Sequence, residues 1–281
     1  MRINRFSRRA RGVSRGRRRG IKWLPILLFV LYLGYYFTAN REEVPLTGRT
    51  QLVDLSREQE MALGFQSYQQ ILARERVIAG GPQAELVQEI GRRIAAVSED
   101  PGFAWEFNLI DSDQANAFCL PGGKVAVYTG ILPVAANTDG LAVIMGHEIA
   151  HAIARHGAER MAHQKLVQIG SMAASAAFSD MDYQQQSMVM GALGVGAQYG
   201  VLLPFSRDHE SEADYIGLVY AARACFDPTE APEVWRRMGE ASSAGQPTEF
   251  TSTHPSHETR IRQFDEWMPE ALGIRGTGCV Q

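Results

Sequence analysis

The most constraining feature of this chain is a pair of histidines four residues apart, His147 and His151, with Glu148 directly after the first. Residues four apart lie on the same face of a helix, so two imidazoles at this spacing can bind one metal ion. A catalytic zinc lowers the pKa of a bound water, and an adjacent carboxylate can take the proton. The motif therefore predicts a zinc-dependent hydrolase, with His147 and His151 as metal ligands and Glu148 as general base.

The residues that flank the motif predict a well-delimited helix. Asp139 is the expected N-cap and Gly157 the expected C-terminal stop. Between them, apolar residues recur at helical spacings: Leu141, Ile144, Met145, Ile149 and Ile153. The alternative is an ordinary amphipathic helix that carries two hydrogen-bonded histidines.

A metal site also needs a third ligand, and the acidic segment at residues 206–215 offers one. If this segment is helical, Glu210 and Asp214 lie on one face. Glu210 can then bind the metal while Asp214 holds a ligand histidine from behind. The alternative is a charged helix face that is simply solvated, and spacing alone leaves both interpretations open.

Together, the His-Glu-Ile-Ala-His and Glu-Ser-Glu-Ala-Asp segments resemble the M48 family of zinc metallopeptidases, in particular its single-anchor, Oma1-like bacterial members. The resemblance runs from about residue 55 to residue 267. It implies that Glu210 is the third ligand of one Zn²⁺ per chain. It also implies an endopeptidase of protein quality control, whose substrates are misfolded or damaged membrane and envelope proteins.

Two further segments match the family. One, at residues 116–123, predicts a β-hairpin with a Pro-Gly-Gly turn. In such peptidases an edge strand beside the zinc pairs with extended substrate, so Asn116, Ala117 and Phe118 are candidate main-chain substrate contacts, or parts of a plain structural hairpin.

The second matching segment contains His254, which can stabilise the oxyanion, bind zinc as a fourth ligand that holds the enzyme closed, or simply precede a helix. Arg260 either pairs within the site or faces solvent.

The N-terminal charge pattern predicts a membrane anchor. Residues 1–22 carry nine Arg, one Lys and no acid, and the 17 residues at 23–39 carry no charge. We expect a basic cytoplasmic arm, a single span in contact with the lipid bilayer, and a catalytic domain at residues 40–281 in the bacterial periplasm. The alternatives are a cleaved signal peptide and a mitochondrial presequence followed by an inner-membrane span. A nucleic-acid-binding tail is disfavoured because the basic residues directly adjoin the apolar run.

The remainder predicts one α+β, zincin-like domain, mostly helical with a small sheet. A capping box at Ser56 opens a helix to about Ala79, and a second helix covers about 84–97. Strands are expected at 105–110, 115–120 and 125–129, with helices after Gly130.

The run at 166–203 has few charges and predicts a buried helical hairpin, or else a mobile lid or membrane-dipping element. Cys225 and Cys279 are the expected disulfide pair.

Two other classes of function use the same residues. One is a zinc-stabilised, chaperone-like module that binds clients with little or no proteolysis, against which the presence of Glu148 argues. The other is hydrolysis of a non-peptide ester or amide, which needs no edge strand for an extended backbone. An endopeptidase accounts for both Glu148 and the hairpin, so it is the preferred interpretation.

Overall fold

The computed structural model describes residues 20–198, 202–243, 254 and 258–279, so most of the predicted basic arm lies outside the described residues. In chain order its elements are α1 (Trp23–Ala39), β1 (Arg41–Glu43), β2 (Thr50–Leu52), α2 (Arg57–Leu72), β3 (Val77–Ile78), α3 (Pro82–Ala95), β4 (Glu106–Ile110), β5 (Ala117–Leu120), β6 (Lys124–Tyr128), α4 (Leu132–Ala135), α5 (Thr138–Ile153), α6 (His156–Ala177), α7 (Tyr183–Ala197), α8 (Leu203–Arg223), α9 (Glu230–Ser243) and α10 (Glu258–Gly278). A short 3-10 turn joins β6 to α4. The mostly helical α+β expectation is confirmed.

The main sheet has four strands in the order β3-β4-β6-β5. β4 and β6 are parallel, and β5 pairs antiparallel with β6 in the register Phe118↔Ala126. The predicted hairpin is therefore confirmed, and β5 forms one edge of the sheet. Gly122 and Gly123 make its turn with φ of 86° and 77°, a backbone conformation that glycine adopts without steric cost.

The motif helix α5 lies in the centre of the domain, where thirteen of its sixteen residues are buried. It packs against α3, β5, α8 and α9. Two glycines, Gly146 on α5 and Gly217 on α8, meet where these helices cross, and a Cβ on Gly217 would lie only 2.7 Å from the backbone nitrogen of His147. This close approach brings the acidic face of α8 against the two motif histidines.

Both predicted ends of α5 are wrong by a few residues. Asn137, not Asp139, is the N-cap, and its Oδ1 accepts a hydrogen bond from Gly140 N at 2.8 Å. Asp139 lies in the first turn, where it accepts from Asp227 N at 2.8 Å. The helix ends at Ile153 because Arg155 takes a left-handed backbone, with φ of 60°, and Gly157 belongs to the next helix.

The buried Arg155 guanidinium explains this break between α5 and α6. Its Nε donates to Glu60 at 2.7 Å, its Nη2 donates to Leu55 O at 2.8 Å, and its Nη1 pairs with Glu42. A left-handed backbone is costly for a residue with a Cβ, so these bonds must compensate for it. The break redirects the chain, and α6 starts beside the end of the motif.

The capping box of Ser56 with Gln59 is confirmed at the start of α2. The helix ends at Leu72 rather than near Ala79, because Val77 and Ile78 pair with β4 as the short strand β3. The second predicted helix is α3, which begins at Pro82 and ends at Ala95. Here pairing with a distant strand overrides the local helical pattern.

Helices α6 and α7 form the predicted helical hairpin, but the expectation that it is buried is wrong. α7 has no buried residue. α6 packs on α1, where Tyr36, Ala162 and Leu166 form a small apolar cluster. Large apolar side chains of the three helices remain exposed, among them Leu24, Leu27, Leu28, Leu31, Met172, Tyr183, Met188, Leu193 and Val195.

The predicted anchor segment is helical over the expected residues, Trp23–Ala39. Within the part of the chain that the structure describes, however, no helix combines the length and the apolar character needed to cross a bilayer.

The predicted disulfide is confirmed, since Cys225 and Cys279 are bonded. The bond joins the residue after the end of α10 to the loop after α8. Cys119, on β5, is a free thiol. Burial raises the pKa of Cys119, with a further contribution from the Glu148 carboxylate, so it is not a reactive thiolate.

Candidate metal centre

Four side chains from three parts of the chain converge on one point. They are His147 and His151 on α5, Glu210 on α8 and His254 ahead of α10, and one donor atom of each lies within 4.8 Å of the others. The Nε2 atoms of His147 and His151 are 3.1 Å apart, and they lie 3.4 and 3.5 Å from the Glu210 carboxylate. The structure thus brings the three expected ligands together and adds His254 to the cluster.

This donor set fits zinc. Imidazole nitrogens with one carboxylate oxygen are a typical ligand set of catalytic zinc sites. Burial lowers the pKa of His151 well below its usual range, and the hydrogen bonds from His147 and His254 hold the pKa of Glu210 well below its own, against the effect of burial. His151 and Glu210 therefore present neutral imidazole and ionised carboxylate, the protonation states in which these groups bind metal. Asp214 and Glu210 outweigh burial at His147 and raise its pKa to about 9, so metal binding at this ring would release a proton.

His147 is held from behind by Asp214, as the spacing on α8 suggested. Its Nδ1 lies 3.0 Å from Asp214 Oδ1. Arg260 of α10 binds the same carboxylate at two points, with Nε to Oδ2 at 2.6 Å and Nη2 to Oδ1 at 2.7 Å. Asp214 and Arg260 are 2% and 4% exposed, so of the two alternatives for Arg260, the structure shows pairing within the site rather than contact with solvent.

Arg260 also completes the wall of the site in a way that the sequence did not reveal. Its Nη1 lies 3.1 Å from Glu210 Oε2, and its guanidinium carbon lies 3.6 Å from the centre of the Trp235 ring. The same indole meets His147 edge to face, with ring centres 5.7 Å apart. Trp235 thus packs against both His147 and Arg260, the arginine that binds the Asp214 carboxylate behind His147.

Behind His151 lies a second set of polar residues to which sequence reasoning assigned no role, although the Arg155-His156 pair resembles the family pattern. His156 Nδ1 is 2.8 Å from His151 Nδ1, and its Nε2 is 3.0 Å from Glu212 Oε2. Arg49, in the loop between β1 and β2, reaches Glu212 and also Glu159 of α6, each at 2.7 Å. Two sequence features could have indicated this set. One is the Arg155-His156 pair that follows the motif, and the other is Glu212, the second glutamate of the acidic segment, which lies off the face shared by Glu210 and Asp214.

Glu148 is 4% exposed and lies beside the donor cluster. Its Oε1 makes no hydrogen bond to the described residues, and His254 Nε2 is 3.4 Å away. Burial raises the pKa of Glu148, while His254 and His147 partly oppose that rise. The carboxylate is therefore held close to the cluster with an oxygen available to accept a proton.

A cleft of about 320 Å³ opens onto the cluster. His151, Glu210 and His254 contribute to its lining, and the rest comes mainly from α6 and the region of α7 and α8, including Arg160, Gln164, Gln198, Leu202 and Ser206. Most of these residues carry polar groups that can bond to a substrate backbone.

The three expected substrate contacts lie at the start of the edge strand β5, which packs on α5. Asn116 O accepts from Tyr128 N at 3.0 Å, and Ala117 is buried. The Phe118 ring packs against the rings of Tyr68 and Tyr128. The side chains of Ala117 and Phe118 are therefore committed to the fold, and main-chain atoms are what these residues can offer a substrate.

Residues 82–268 match the model of the family described as Peptidase family M48. The chain is 40% identical over 247 residues to the mitochondrial metalloendopeptidase OMA1 of Schizosaccharomyces pombe, covering 86% of this chain and 71% of that protein. It is 32% identical to the human metalloendopeptidase OMA1, covering 88% of this chain and 49% of that protein. With the Escherichia coli beta-barrel assembly-enhancing protease the identity is 27%, over 80% of this chain and 47% of that protein. The chain therefore belongs to peptidase family M48 and is a metalloendopeptidase.

Proposed function

We propose that the enzyme is a zinc endopeptidase in which His147, His151 and Glu210 hold the metal and Glu148 is the general base. The observation that carries the proposal is the convergence of these ligands beside a buried carboxylate that has a free oxygen. When bound, zinc would polarise the substrate carbonyl and make a water more acidic. Glu148 takes the proton of the attacking water and then delivers it to the leaving amine.

His254 is proposed as a removable fourth ligand, and the oxyanion role is the alternative. Its Nδ1 lies 2.9 Å from Glu210 Oε2 and 3.2 Å from His147 Nε2, so this atom is directed at the other donors. Its Nε2 faces Glu148. With a metal held by the other three residues, His254 would take the position that a water needs, and it would have to move away before substrate binds.

The His254→Ala variant distinguishes the two roles. A blocking ligand predicts that its removal raises peptidase activity at saturating zinc, whereas an oxyanion donor predicts a loss of about 10²-fold or more in kcat. The measurement is the initial rate of cleavage of fluorescein-labelled casein, with the zinc content of each protein determined in parallel.

We further propose that the substrates are misfolded or damaged membrane and envelope proteins, bound in extended form along β5. Support comes from the position of β5 at the edge of the sheet, packed on α5, and from the names of two relatives, a mitochondrial metalloendopeptidase and a beta-barrel assembly-enhancing protease. Unfolded chains offer the free backbone groups that an edge strand can pair.

The Glu148→Gln variant tests the proposed chemistry. It keeps the side-chain shape but removes the base, so casein cleavage should fall by about 10²- to 10⁴-fold while zinc remains bound. Glu233→Gln, an exposed position on α9, is the matched control and should retain full activity. Undiminished turnover by Glu148→Gln would overturn the mechanism. Client binding without any turnover by the wild-type enzyme would instead support the chaperone-like alternative.

We also propose that α1 attaches the enzyme to a bilayer, with the basic arm on the cytoplasmic side and the catalytic domain in the periplasm; the mitochondrial inner membrane is the alternative location. The exposed Leu24, Leu27, Leu28 and Leu31 and the ten positive charges of residues 1–22 support it. Replacing the four leucines by serine should release the protein from anionic vesicles in a flotation assay. Equal flotation of the wild type and this variant would refute the attachment through α1.

A further inference from the structure

We propose that His156 and Glu212 are positioning residues for the ligand His151, and that the loop between β1 and β2 completes this support through Thr47 and Arg49. The inference rests on the proposed zinc site. It extends that site to a segment of the chain that carries none of the ligands and lies outside the part matched by the family model.

The hydrogen-bond directions follow from the ring geometry. The Nε2 of His151 faces the cluster, 3.1 Å from the Nε2 of His147, so its Nδ1 keeps the proton when Nε2 binds metal. That Nδ1 lies 2.8 Å from the Nδ1 of His156, which must then accept. The remaining proton of His156 is on Nε2, where it donates to Glu212 at 3.0 Å. Each ring thus has one tautomer, and the two bonds form a chain from the ligand to the carboxylate.

The His156 ring has little freedom to rotate. It is 3% exposed, and it stacks on the ring of His209 with centres 4.2 Å apart and planes 9° apart. His209 is itself fixed, since its Nε2 lies 2.9 Å from Glu159 Oε2. Rotation of His156 would break the bonds at both of its nitrogens, so the ring holds His151 in one orientation.

The loop between β1 and β2 fixes the far end of the chain. The Thr47 hydroxyl donates to Glu212, and Arg49 Nε donates to the same carboxylate at 2.7 Å. The Nη1 and Nη2 atoms of the Arg49 guanidinium donate to the two oxygens of Glu159, at 3.1 and 2.7 Å. Arg49 is therefore a clamp between α6 and α8, and it closes the support on the side away from the metal.

Partners that orient a ligand histidine typically contribute 10- to 100-fold to metal affinity. The zinc dissociation constant, measured by competition with a chromophoric chelator, should therefore rise about 10- to 100-fold in His156→Phe, which keeps the stacked ring and loses the acceptor. His156→Asn replaces the accepting nitrogen with an oxygen and should restore the affinity to within about threefold. Glu212→Gln should weaken binding by about fivefold or more.

Glu233→Gln is the matched control, because it makes the same change as Glu212→Gln at an exposed position on α9. Its dissociation constant should stay within about twofold of the wild type, a difference below the typical contribution of an orienting partner. Thermal unfolding of the metal-free proteins shows whether each variant folds, and if His156→Phe does not, Glu212→Gln decides. Unchanged zinc affinity in folded His156→Phe and Glu212→Gln would overturn this inference while the proposed function stands. A wild-type protein that binds no zinc would overturn both.

Discussion

The two proposed ligand histidines of α5 are supported in different ways from opposite ends of the chain. His147 is backed by Asp214 and Arg260, an ion pair between α8 and α10 in which both residues are almost fully buried. His151 is backed by His156 and Glu212, and that chain ends at Arg49, whose side chain is 31% exposed. Both supports place an acceptor behind an imidazole, but only the first depends on a charge pair withdrawn from water. Loss of charge should therefore cost more on the His147 side.

The largest effect is expected from Asp214→Asn. This change leaves the buried Arg260 guanidinium with its ion pair to Glu210 but without the one to Asp214, and breaking a buried ion pair typically costs about 3–5 kcal/mol. Urea unfolding of the metal-free protein measures the loss without interference from zinc. Glu212→Gln removes one charge from the same helix and is the matched comparison. If it destabilises the protein as much as Asp214→Asn, the distinction between the two supports fails.

Glu159→Gln tests how the Arg49 end of the second support contributes to stability, measured as a function of pH. Arg49 of the loop, His209 of α8 and His163 of its own helix face this carboxylate. Burial acts to raise the pKa of Glu159, but the bonds from His209 and Arg49 outweigh it and lower the pKa from 4.5 to about 2. Because the folded-state pKa is the lower one, the stabilisation is present above pH 4.5 and is lost as the pH falls towards 2.

The shift corresponds to about 3 kcal/mol at neutral pH, as an order of magnitude. Urea unfolding of the wild type and Glu159→Gln should thus show the wild type more stable at pH 7, with the gap reduced to less than half at pH 3. Groups that titrate alike in both proteins cancel in the difference. A gap that stays constant with pH would mean that the ionised carboxylate does not stabilise the Arg49 clamp.

Gly217→Ala tests the helix crossing that both supports share. The added methyl would lie 2.7 Å from His147 N, and overpacking of this kind costs about 1–3 kcal/mol. Because α8 carries Glu210, Glu212 and Asp214, its displacement should weaken zinc affinity as well as stability. Gly191→Ala on α7 is the control, since its Cβ meets no atom within 4 Å and should stabilise the helix by about 0.5–1 kcal/mol. Normal zinc affinity in Gly217→Ala would show that the crossing does not set the ligand geometry.

Local patterns predicted the parts of the site that lie on single elements. The helical spacing placed the motif histidines on one face, and the turn signal of residues 121–123 predicted the hairpin, whose position beside them came from the family resemblance. The helix boundaries were less accurate, because Asn137 and Asp139 are both good caps and only packing against Asp227 separates them. The orientation of Asp214 towards His147 followed from α8 being a helix.

The Arg49 clamp had no such local signal. Arg49 lies 110 residues from Glu159 and 163 residues from Glu212, and no periodicity connects positions that far apart. The left-handed Arg155, which ends α5 and places His156 against His151, is also unexpected for a residue with a Cβ. Contacts made by the tertiary fold, rather than by any single element, therefore complete the support of His151.

The smallest effect is expected from Arg236→Ala, which removes an exposed ion pair and serves as the reference for the loss of stability in Glu212→Gln. Arg236 pairs with Glu233 one turn away on α9, with both side chains about half exposed, at 46% and 49%. Solvent screens such a pair, so its removal should change the free energy of unfolding by less than about 0.5 kcal/mol. Urea unfolding at low and high salt measures this directly. If Glu212→Gln costs no more than Arg236→Ala, the Arg49 clamp contributes to metal affinity alone and not to stability, which would separate the two supports of the zinc site further.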